Sequence, residues 1–229
     1  MEIKTHQFIS GAKKAEGLTV IIDVFRAYTT AAYLFAAGAE EIYVVAEIEK
    51  AESLSRELNN PVLIGERKGI KIKGFDYNNS PYFISQHDFS GNQVVLSTSA
   101  GTKGIINAEK ADQILTGSFV NISATADYIR EKNPDLVSLV AMGNNGVTKA
   151  EEDILYAEML KNKLKDLQIL SEKDIRDRLF NSAGQRFFEE STQSQMPKED
   201  FYYSLSIDKF DFVIKAQKAD QGIFRLKKI

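Results

Sequence analysis

The chain has 229 residues, 43% apolar and 27% charged, which is typical of a folded globular protein with a sizeable core. Its formal net charge of -3 argues against nucleic acid as a ligand, since a basic surface supplies most of that affinity. The absence of cysteine excludes disulfides, thiolate catalysis and cysteine zinc sites. The amino terminus lacks the pattern of a signal peptide, and no uncharged apolar run approaches the roughly 18 residues of a membrane span. We therefore expect a cytoplasmic protein that binds neither membrane nor nucleic acid.

Short apolar strands alternate with helical segments through the first two thirds of the chain. The pattern predicts strands at 18–22, 41–45, 61–64, 94–96, 113–115 and 136–141, and helices at 27–37, 47–58, 101–108, 121–131 and 148–164. This alternation favours a largely parallel sheet with helices on both faces, that is, a three-layer α/β/α sandwich.

The pattern changes after about residue 165. Helices are predicted at 171–188 and 199–205, an exposed loop at 191–197, and a final pair of strands at 212–214 and 223–226. The final strands favour an antiparallel edge on a mixed sheet. We interpret residues 1–229 as a single domain on which the part from about 165 packs.

Polar residues follow the predicted strands at the points where they end. Ligands of open parallel sheets bind beyond the carboxyl ends of the strands, so we expect these residues to share one edge. The most informative segment runs from Val94 to Ile105, where a buried strand turns through small hydroxyl and glycine residues into a helix. Unpaired N–H groups and the positive end of a helix dipole favour a phosphate or sulfate there. The predicted contacts of such an anion are Ser97, Thr98, Ser99, Ala100, Gly101 and Thr102.

Asp23 and Arg26 lie three residues apart where the first strand turns into a helix. Asp23 could bind a metal or act as a nucleophile, and the planar guanidinium of Arg26 suits a tetrahedral oxyanion. The alternative is an N-cap aspartate beside a solvated arginine. Charged residues at the other strand ends favour the functional interpretation.

Glu66 and Arg67 follow the apolar strand predicted at 61–64. They are candidates for a second metal carboxylate and a second anion clamp, against the alternative of a surface ion pair that contributes little. Asn79 and Ser118 are further candidate ligand contacts. Ser80 and Pro81, by contrast, have the pattern of a helix start.

Three acidic residues, Glu151 to Asp153, open the helix predicted at 148–164. Thr148 and Glu151 have the spacing of a capping box, so Glu151 is interpreted as structural. Glu152 and Asp153 either complement the helix dipole or complete a magnesium site. The residues by themselves favour the first role.

Taken together, six segments resemble the 2-phosphosulfolactate phosphatase family. They are Ile22-Asp-Val-Phe-Arg-Ala-Tyr-Thr-Thr30, Gly65-Glu-Arg67, Gly74-Phe-Asp76 with Asn79-Ser-Pro81, Ser97-Thr-Ser-Ala-Gly-Thr102, Gly117-Ser-Phe-Val-Asn121 and Glu152-Asp153. The likeness runs from about Leu18 to Leu160 and is weaker in the carboxy-terminal third. The family's usual loop is closer to Thr-Thr-Asn-Gly-Thr, so the Ser99-Ala100 pair here points to a role for backbone N–H groups.

The resemblance implies a magnesium-dependent phosphatase that converts 2-phospho-3-sulfolactate to 3-sulfolactate and phosphate, as in coenzyme M biosynthesis. Asp23 and Glu66, with Glu152 or Asp153, would hold Mg²⁺, and Arg26 and Arg67 would clamp the phosphate or sulfonate. Attack by water and attack by Asp23 itself both stay open.

Two other functions are compatible with the same residues. One is a non-catalytic binding protein for a small phosphorylated or sulfonated metabolite, and the other is a phosphatase of a different small phosphoester. The expected partner in each case is a small anionic molecule, and a homodimer is one possibility for an α/β protein of this size.

Overall fold

The computed structural model describes residues 1–229, which form ten strands and nine α-helices. The strands are β1 Glu2–Gln7, β2 Gly17–Ile22, β3 Glu41–Val45, β4 Pro61–Arg67, β5 Ile70–Lys71, β6 Gln93–Ser97, β7 Ala111–Gly117, β8 Leu136–Ala141, β9 Ile214–Asp220 and β10 Ile223–Lys228. The helices are α1 Phe8–Ala12, α2 Ala27–Ala36, α3 Ile48–Ser55, α4 Pro81–Ile84, α5 Gly101–Asn107, α6 Ile122–Lys132, α7 Glu151–Leu164, α8 Glu172–Phe180 and α9 Lys198–Ser204. Three short 3₁₀ turns lie at Phe119–Asn121, Gln185–Phe187 and Glu190–Thr192. None of the helices combines the length and apolar character needed to cross a membrane.

All ten strands belong to one mixed sheet with the order β1-β8-β2-β7-β9-β10-β3-β6-β4-β5. Parallel pairing joins β1, β8, β2 and β7 into one group and β3, β6 and β4 into another. The β9–β10 hairpin lies between these groups and is antiparallel to both neighbours. The prediction of a mixed, largely parallel sheet is confirmed, but the prediction that the final strands form its edge is wrong. Ile214, Ala216 and Leu226 are buried in the core, which holds the hairpin at the centre.

The two parallel groups run in opposite directions, because three antiparallel pairings in succession separate β7 from β3. The expectation that all the strand ends lie along one edge of a parallel sheet is therefore wrong. The ends of the two groups meet nevertheless at α5. The Gly101 N–H, which follows β6, donates to Asp23 Oδ2, which follows β2, and α5 contacts β2 in one group and β3 in the other.

Helices cover both faces of the sheet. Ile21 faces a cluster that includes residues of α2 and α5, whereas Val20 and Ile22 face a second cluster with residues of α6 and α7. This alternation follows the two-residue period of a strand. The three-layer α/β/α sandwich is thus confirmed.

The segment after residue 165 departs from its prediction in two places. The helix expected at 171–188 ends at Phe180, and a 3₁₀ turn follows at Gln185–Phe187. The loop expected to be exposed at 191–197 is partly buried, since Gln195 and Met196 are half-buried and Pro197 is buried. Both changes bring this part of the chain against the strand ends.

Candidate active site

A cavity of about 320 Å³ lies where β2, β4, β6 and β8 end. Six of the predicted site residues line it, namely Asp23, Arg26, Glu66, Asn79, Ser99 and Ala100. The remainder of the lining is Phe25, Lys68, Gly69, Gly143, Asn144, Asn145, Arg186, Phe187 and Met196. The other predicted site residues lie outside the lining, namely Arg67, Ser97, Thr98, Gly101, Thr102, Ser118, Glu152 and Asp153.

Asp23 is buried at the end of β2, with only 7% of its surface exposed. Its Oδ1 accepts the Ala27 N–H at 3.2 Å, and its Oδ2 accepts the Gly101 N–H at 2.8 Å. Burial raises the pKa of Asp23 to about 6, and repulsion from Glu66 and Glu152 adds to the effect that the two N–H groups partly offset. A carboxylate with such a pKa is half-protonated near pH 6 and mostly ionised at neutral pH.

Glu66 is buried at the end of β4. Its Oε1 accepts the Ser99 N–H at 2.7 Å, and its Oε2 accepts the Gly69 N–H at 2.7 Å and the Ser99 hydroxyl at 3.1 Å. These contacts fix the carboxylate in the wall of the cavity beside Ser99.

The loop after β6 therefore differs from the anion cradle that its sequence predicted. The N–H groups of Ser99 and Gly101 donate to Glu66 and Asp23, so carboxylates of the protein occupy them. Thr98 and Thr102 bind each other, since the Thr102 hydroxyl donates to the Thr98 carbonyl at 2.8 Å. The loop thus orients the carboxylates. Ala100 lines the cavity, and its N–H donates to no acceptor of the protein.

Arg26 is buried, and both of its partners belong to the carboxy-terminal part of the chain. Its Nη1 donates to Asp200 Oδ2 at 2.5 Å and to the Gln195 carbonyl at 2.9 Å, which leaves Nε and Nη2 without an acceptor in the protein. Asp200 also accepts the Ser80 hydroxyl at 2.7 Å. Burial raises the pKa of Asp200 even though Arg26 opposes the shift. The peptide bond between Phe25 and Arg26 is cis.

Arg67 is not placed to clamp an anion. Its Nη1 donates to the carbonyls of Glu66 and Ser97 at 2.7 and 3.1 Å, and its Nη2 donates to the Ala46 carbonyl at 2.6 Å and the Ser97 hydroxyl at 2.9 Å. The guanidinium thereby ties together the ends of β3, β4 and β6. Lys68, the next residue, lines the cavity instead.

Asp153 binds the ends of two strands together. Its Oδ1 accepts the Val24 N–H at 2.9 Å after β2, and its Oδ2 accepts the Gly143 N–H at 2.8 Å after β8. Burial, followed by repulsion from Glu152 and Asp23, raises the pKa of Asp153 well above its usual value. These two hydrogen bonds give Asp153 a structural role, since they join the ends of β2 and β8.

Glu152 is buried, and its Oε1 accepts Arg186 Nη2 at 3.0 Å while its Oε2 has no partner. Burial raises the pKa of Glu152 against the opposing charge of Arg186. Ser118 is also buried away from the cavity, with its hydroxyl 3.4 Å from Asn121 Oδ1.

The four predicted magnesium ligands do not form one cluster. No group of three acidic, histidine or cysteine side chains is placed to hold a metal ion. Asp23 and Glu66 alone among the four line the cavity. Magnesium is commonly held by one or two carboxylates together with water and substrate phosphate, so these two oxygen donors fit it chemically.

Sequence reasoning missed two cationic side chains of the cavity, Lys68 and Arg186. Lys68 adjoins the predicted Arg67 and follows the same strand. Arg186 lies far along the chain in a 3₁₀ turn, and its Nη1 donates to Asn144 Oδ1 at 2.7 Å. Arg186 belongs to no motif, so the sequence could not predict that it lines the cavity.

Buried carboxylates and basic side chains around a polar cavity, at the strand ends of a three-layer sandwich, define an α/β protein with a charged cavity. The chain belongs to the 2-phosphosulpholactate phosphatase family, whose model matches residues 3–219. The match extends well past Leu160, so the part after 165 belongs to the family pattern as well.

Several relatives carry the name probable 2-phosphosulfolactate phosphatase. The protein of Carboxydothermus hydrogenoformans is 38% identical over 167 residues, which cover 69% of each chain. That of Thermoplasma volcanium is 34% identical over 208 residues, covering 90% of this chain and 93% of its own. That of Bacillus subtilis is 28% identical over 203 residues, covering 88% and 87%.

Proposed function

We propose that the protein hydrolyses 2-phospho-3-sulfolactate to 3-sulfolactate and phosphate with the help of Mg²⁺, a reaction of the coenzyme M biosynthesis type. The observation that carries the proposal is the meeting of Asp23 and Glu66, from the ends of two different strand groups, in the wall of one polar cavity. The names of the relatives support this choice of substrate.

The charge of the site supports the metal. Asp23, Glu66, Glu152 and Asp153 are all buried at or next to the cavity. Its lining contains three cations, Arg26, Lys68 and Arg186, of which Arg186 is paired with Glu152. Arg26 is neutralised by Asp200. A trianionic substrate would be repelled by this excess of acidic groups, and a divalent cation held by Asp23 and Glu66 would reduce the repulsion.

The side chains of the cavity have distinct tasks in this proposal. When bound, Mg²⁺ would polarise the phosphoryl oxygens. Asp23 and Glu66 would hold it, and the N–H groups of Gly101 and Ser99 keep their carboxylates in place. The Ala100 N–H and the free Nε and Nη2 of Arg26 donate to the phosphoryl group, whose charge such fixed donors stabilise.

The test is phosphate release from 2-phospho-3-sulfolactate with magnesium, by the wild-type protein and by Asp23→Asn. We expect the substitution to abolish turnover, whereas Asp112→Asn, which removes one exposed carboxylate outside the cavity, should leave it unchanged. Near-normal turnover in Asp23→Asn would contradict the proposed role of Asp23.

A panel of small phosphoesters without the sulfonate separates this activity from that of a general phosphatase. Tight binding of 2-phospho-3-sulfolactate without any turnover would identify a binding protein instead. Rapid acid quench with substrate labelled in its phosphoryl group distinguishes the two routes. If Asp23 attacks the phosphorus, the alcohol leaves and a labelled aspartyl phosphate is trapped on the protein before water releases phosphate, whereas direct attack by water gives labelled phosphate and no labelled protein.

A further inference from the structure

Arg186 lies in the lining of the cavity but outside every motif of the sequence. It belongs to the 3₁₀ turn Gln185–Phe187, between α8 and α9. Its contacts are Asn144, which follows β8, and Glu152, which opens α7. Arg186 therefore sits on the side of the cavity formed by β8 and α7, whereas Lys68 and Ser99 lie on the side formed by β4 and β6.

The guanidinium of Arg186 is held in place before any ligand arrives. Its Nη1 donates to Asn144 Oδ1 at 2.7 Å, and its Nη2 donates to Glu152 Oε1 at 3.0 Å. It lies over the rings of Phe25 and Phe187, 5.7 and 5.4 Å from their centroids. Such fixation reduces the conformational entropy that ligand binding would otherwise cost.

Arg186 also retains donors that no protein atom uses. A guanidinium carries five N–H groups, and only two of those of Arg186 have acceptors in the protein. Its Nε is buried and has no partner, while 30% of the side chain is exposed at the cavity. Unpaired donors on a fixed, planar cation suit an oxyanion such as a sulfonate or carboxylate.

We propose that Arg186 recognises the non-reacting sulfonate of the substrate and is the specificity-determining residue of the site. This inference rests on the proposed phosphatase function. The other basic residues are less suited to the task. All the bonds of Arg67 go to acceptors at the strand ends. The free donors of Arg26 are assigned to the phosphoryl group, and Lys68 is exposed beside Glu66 and Ser99, where the phosphate is placed.

The experiment compares two phosphoesters that differ only in the sulfonate, 2-phospho-3-sulfolactate and 2-phospholactate. For each, kcat/KM is measured with wild-type protein, Arg186→Gln and Arg186→Lys in the presence of magnesium. We expect Arg186→Gln to lower the preference for the sulfonated substrate by roughly 10- to 100-fold, mainly through KM. Arg186→Lys should restore part of the preference, because it keeps the charge and loses the fork of donors.

The matched control is Arg178→Gln. Arg178 pairs with Glu151 through its Nε on the surface, one residue before Glu152, and lies outside the cavity. Its substitution should leave the preference unchanged. Arg186→Gln leaves the buried Glu152 without its counter-charge and could therefore destabilise the protein. The double variant Arg186→Gln/Glu152→Gln removes both charges and supplies a second readout if the single variant folds poorly.

The outcomes separate the two proposals. An equal loss of kcat/KM for both substrates in Arg186→Gln, or an unchanged preference, would overturn the role of Arg186 while leaving the phosphatase activity intact. If the wild-type protein releases phosphate from neither substrate, the proposed function fails. The calorimetric binding of 3-sulfolactate against lactate then tests Arg186 alone, and equal affinities of the wild-type protein and Arg186→Gln for 3-sulfolactate would refute its role.

Discussion

The N–H of Gly101 donates to Oδ2 of Asp23 across 2.8 Å, and this bond joins the ends of β2 and β6. These strands belong to parallel groups that run in opposite directions, so no local pairing brings their ends together. The contact fixes a carboxylate at the cavity with a backbone N–H at the start of α5, a helix that follows a strand of the other group.

Gly101→Ala is expected to reduce turnover by about 100-fold, since a shift of the order of 1 Å in a positioned catalytic group has that effect. A Cβ on Gly101 would lie 2.8 Å from Asp23 Oδ2 and 3.0 Å from Ala27 Cβ, so the carboxylate has to move. The measurement is kcat with saturating substrate and magnesium.

Gly104→Ala in the same helix is the matched control. Its Cβ would meet Ile21 and Met142 at 2.6 Å, in the apolar core and away from Asp23. It should cost about 1–3 kcal/mol of stability, with kcat retained at temperatures where the protein is folded. If both variants lost kcat in proportion to their loss of stability, the hydrogen bond between Gly101 and Asp23 would not position Asp23 for catalysis.

The stability of the metal-free protein should depend on pH through Asp23. Burial, with repulsion from Glu66 and Glu152, raises the pKa of Asp23 to about 6 in the folded state, above its usual value of 3.8. A raised carboxylate pKa means that the folded state binds the proton more tightly, so the unfavourable contribution grows as pH rises from about 4 to 6 and is complete above that range. At full ionisation this contribution lowers the free energy of unfolding by about 3 kcal/mol.

Asp23→Asn should consequently be more stable than the wild-type protein at pH 7–8 by up to about 3 kcal/mol, less whatever the altered hydrogen bonds cost. The difference should vanish near pH 4. Urea unfolding across this range in the presence of a chelator measures it, with Asp112→Asn as the control for loss of one exposed charge. A difference that stays constant with pH would show that Asp23 does not titrate as described.

The sequence was sufficient to predict the residues at strand ends but not the relation between them. Asp23 and Glu66 were found because each follows an apolar strand, and strand ends are where ligands bind in such sheets. The alternation of apolar residues also predicted the helices on both faces. These are local signals, carried by a few neighbouring residues.

What the sequence missed depends on contacts between distant segments. The loop at Ser99 and Gly101 offered the N–H groups expected of an anion site, but nothing local reveals that Glu66 and Asp23 occupy them. Likewise, the apolar pattern of the final two strands is compatible with a place at the edge of a sheet and with a place at its centre. The position of Arg186 depends on the packing of the turn at Gln185–Phe187, which no periodic pattern predicts.

The buried pair of Arg26 and Asp200 should hold the carboxy-terminal part onto the site. Asp200→Asn is expected to destabilise the protein by about 3–5 kcal/mol, because it leaves the buried Arg26 without its counter-charge. The double variant Arg26→Gln/Asp200→Asn should regain part of this stability without regaining activity. A double-mutant cycle by urea unfolding measures the coupling. Additive losses would show that the two charges do not stabilise each other.

Removal of magnesium should abolish phosphate release, and its return should restore it. In the proposed site Asp23 and Glu66 provide the carboxylates for the metal, so Glu66→Gln should raise the magnesium concentration needed for half-maximal activity by about tenfold or more. Glu66 Oε2 also accepts the Gly69 N–H and the Ser99 hydroxyl, and Oε1 the Ser99 N–H, so the amide keeps only part of this network. Glu151→Gln, which removes an acidic residue paired with Arg178 outside the cavity, is the control and should leave the magnesium requirement unchanged. Full activity in the chelator, or an unchanged magnesium requirement in Glu66→Gln, would contradict a metal held at this wall of the cavity.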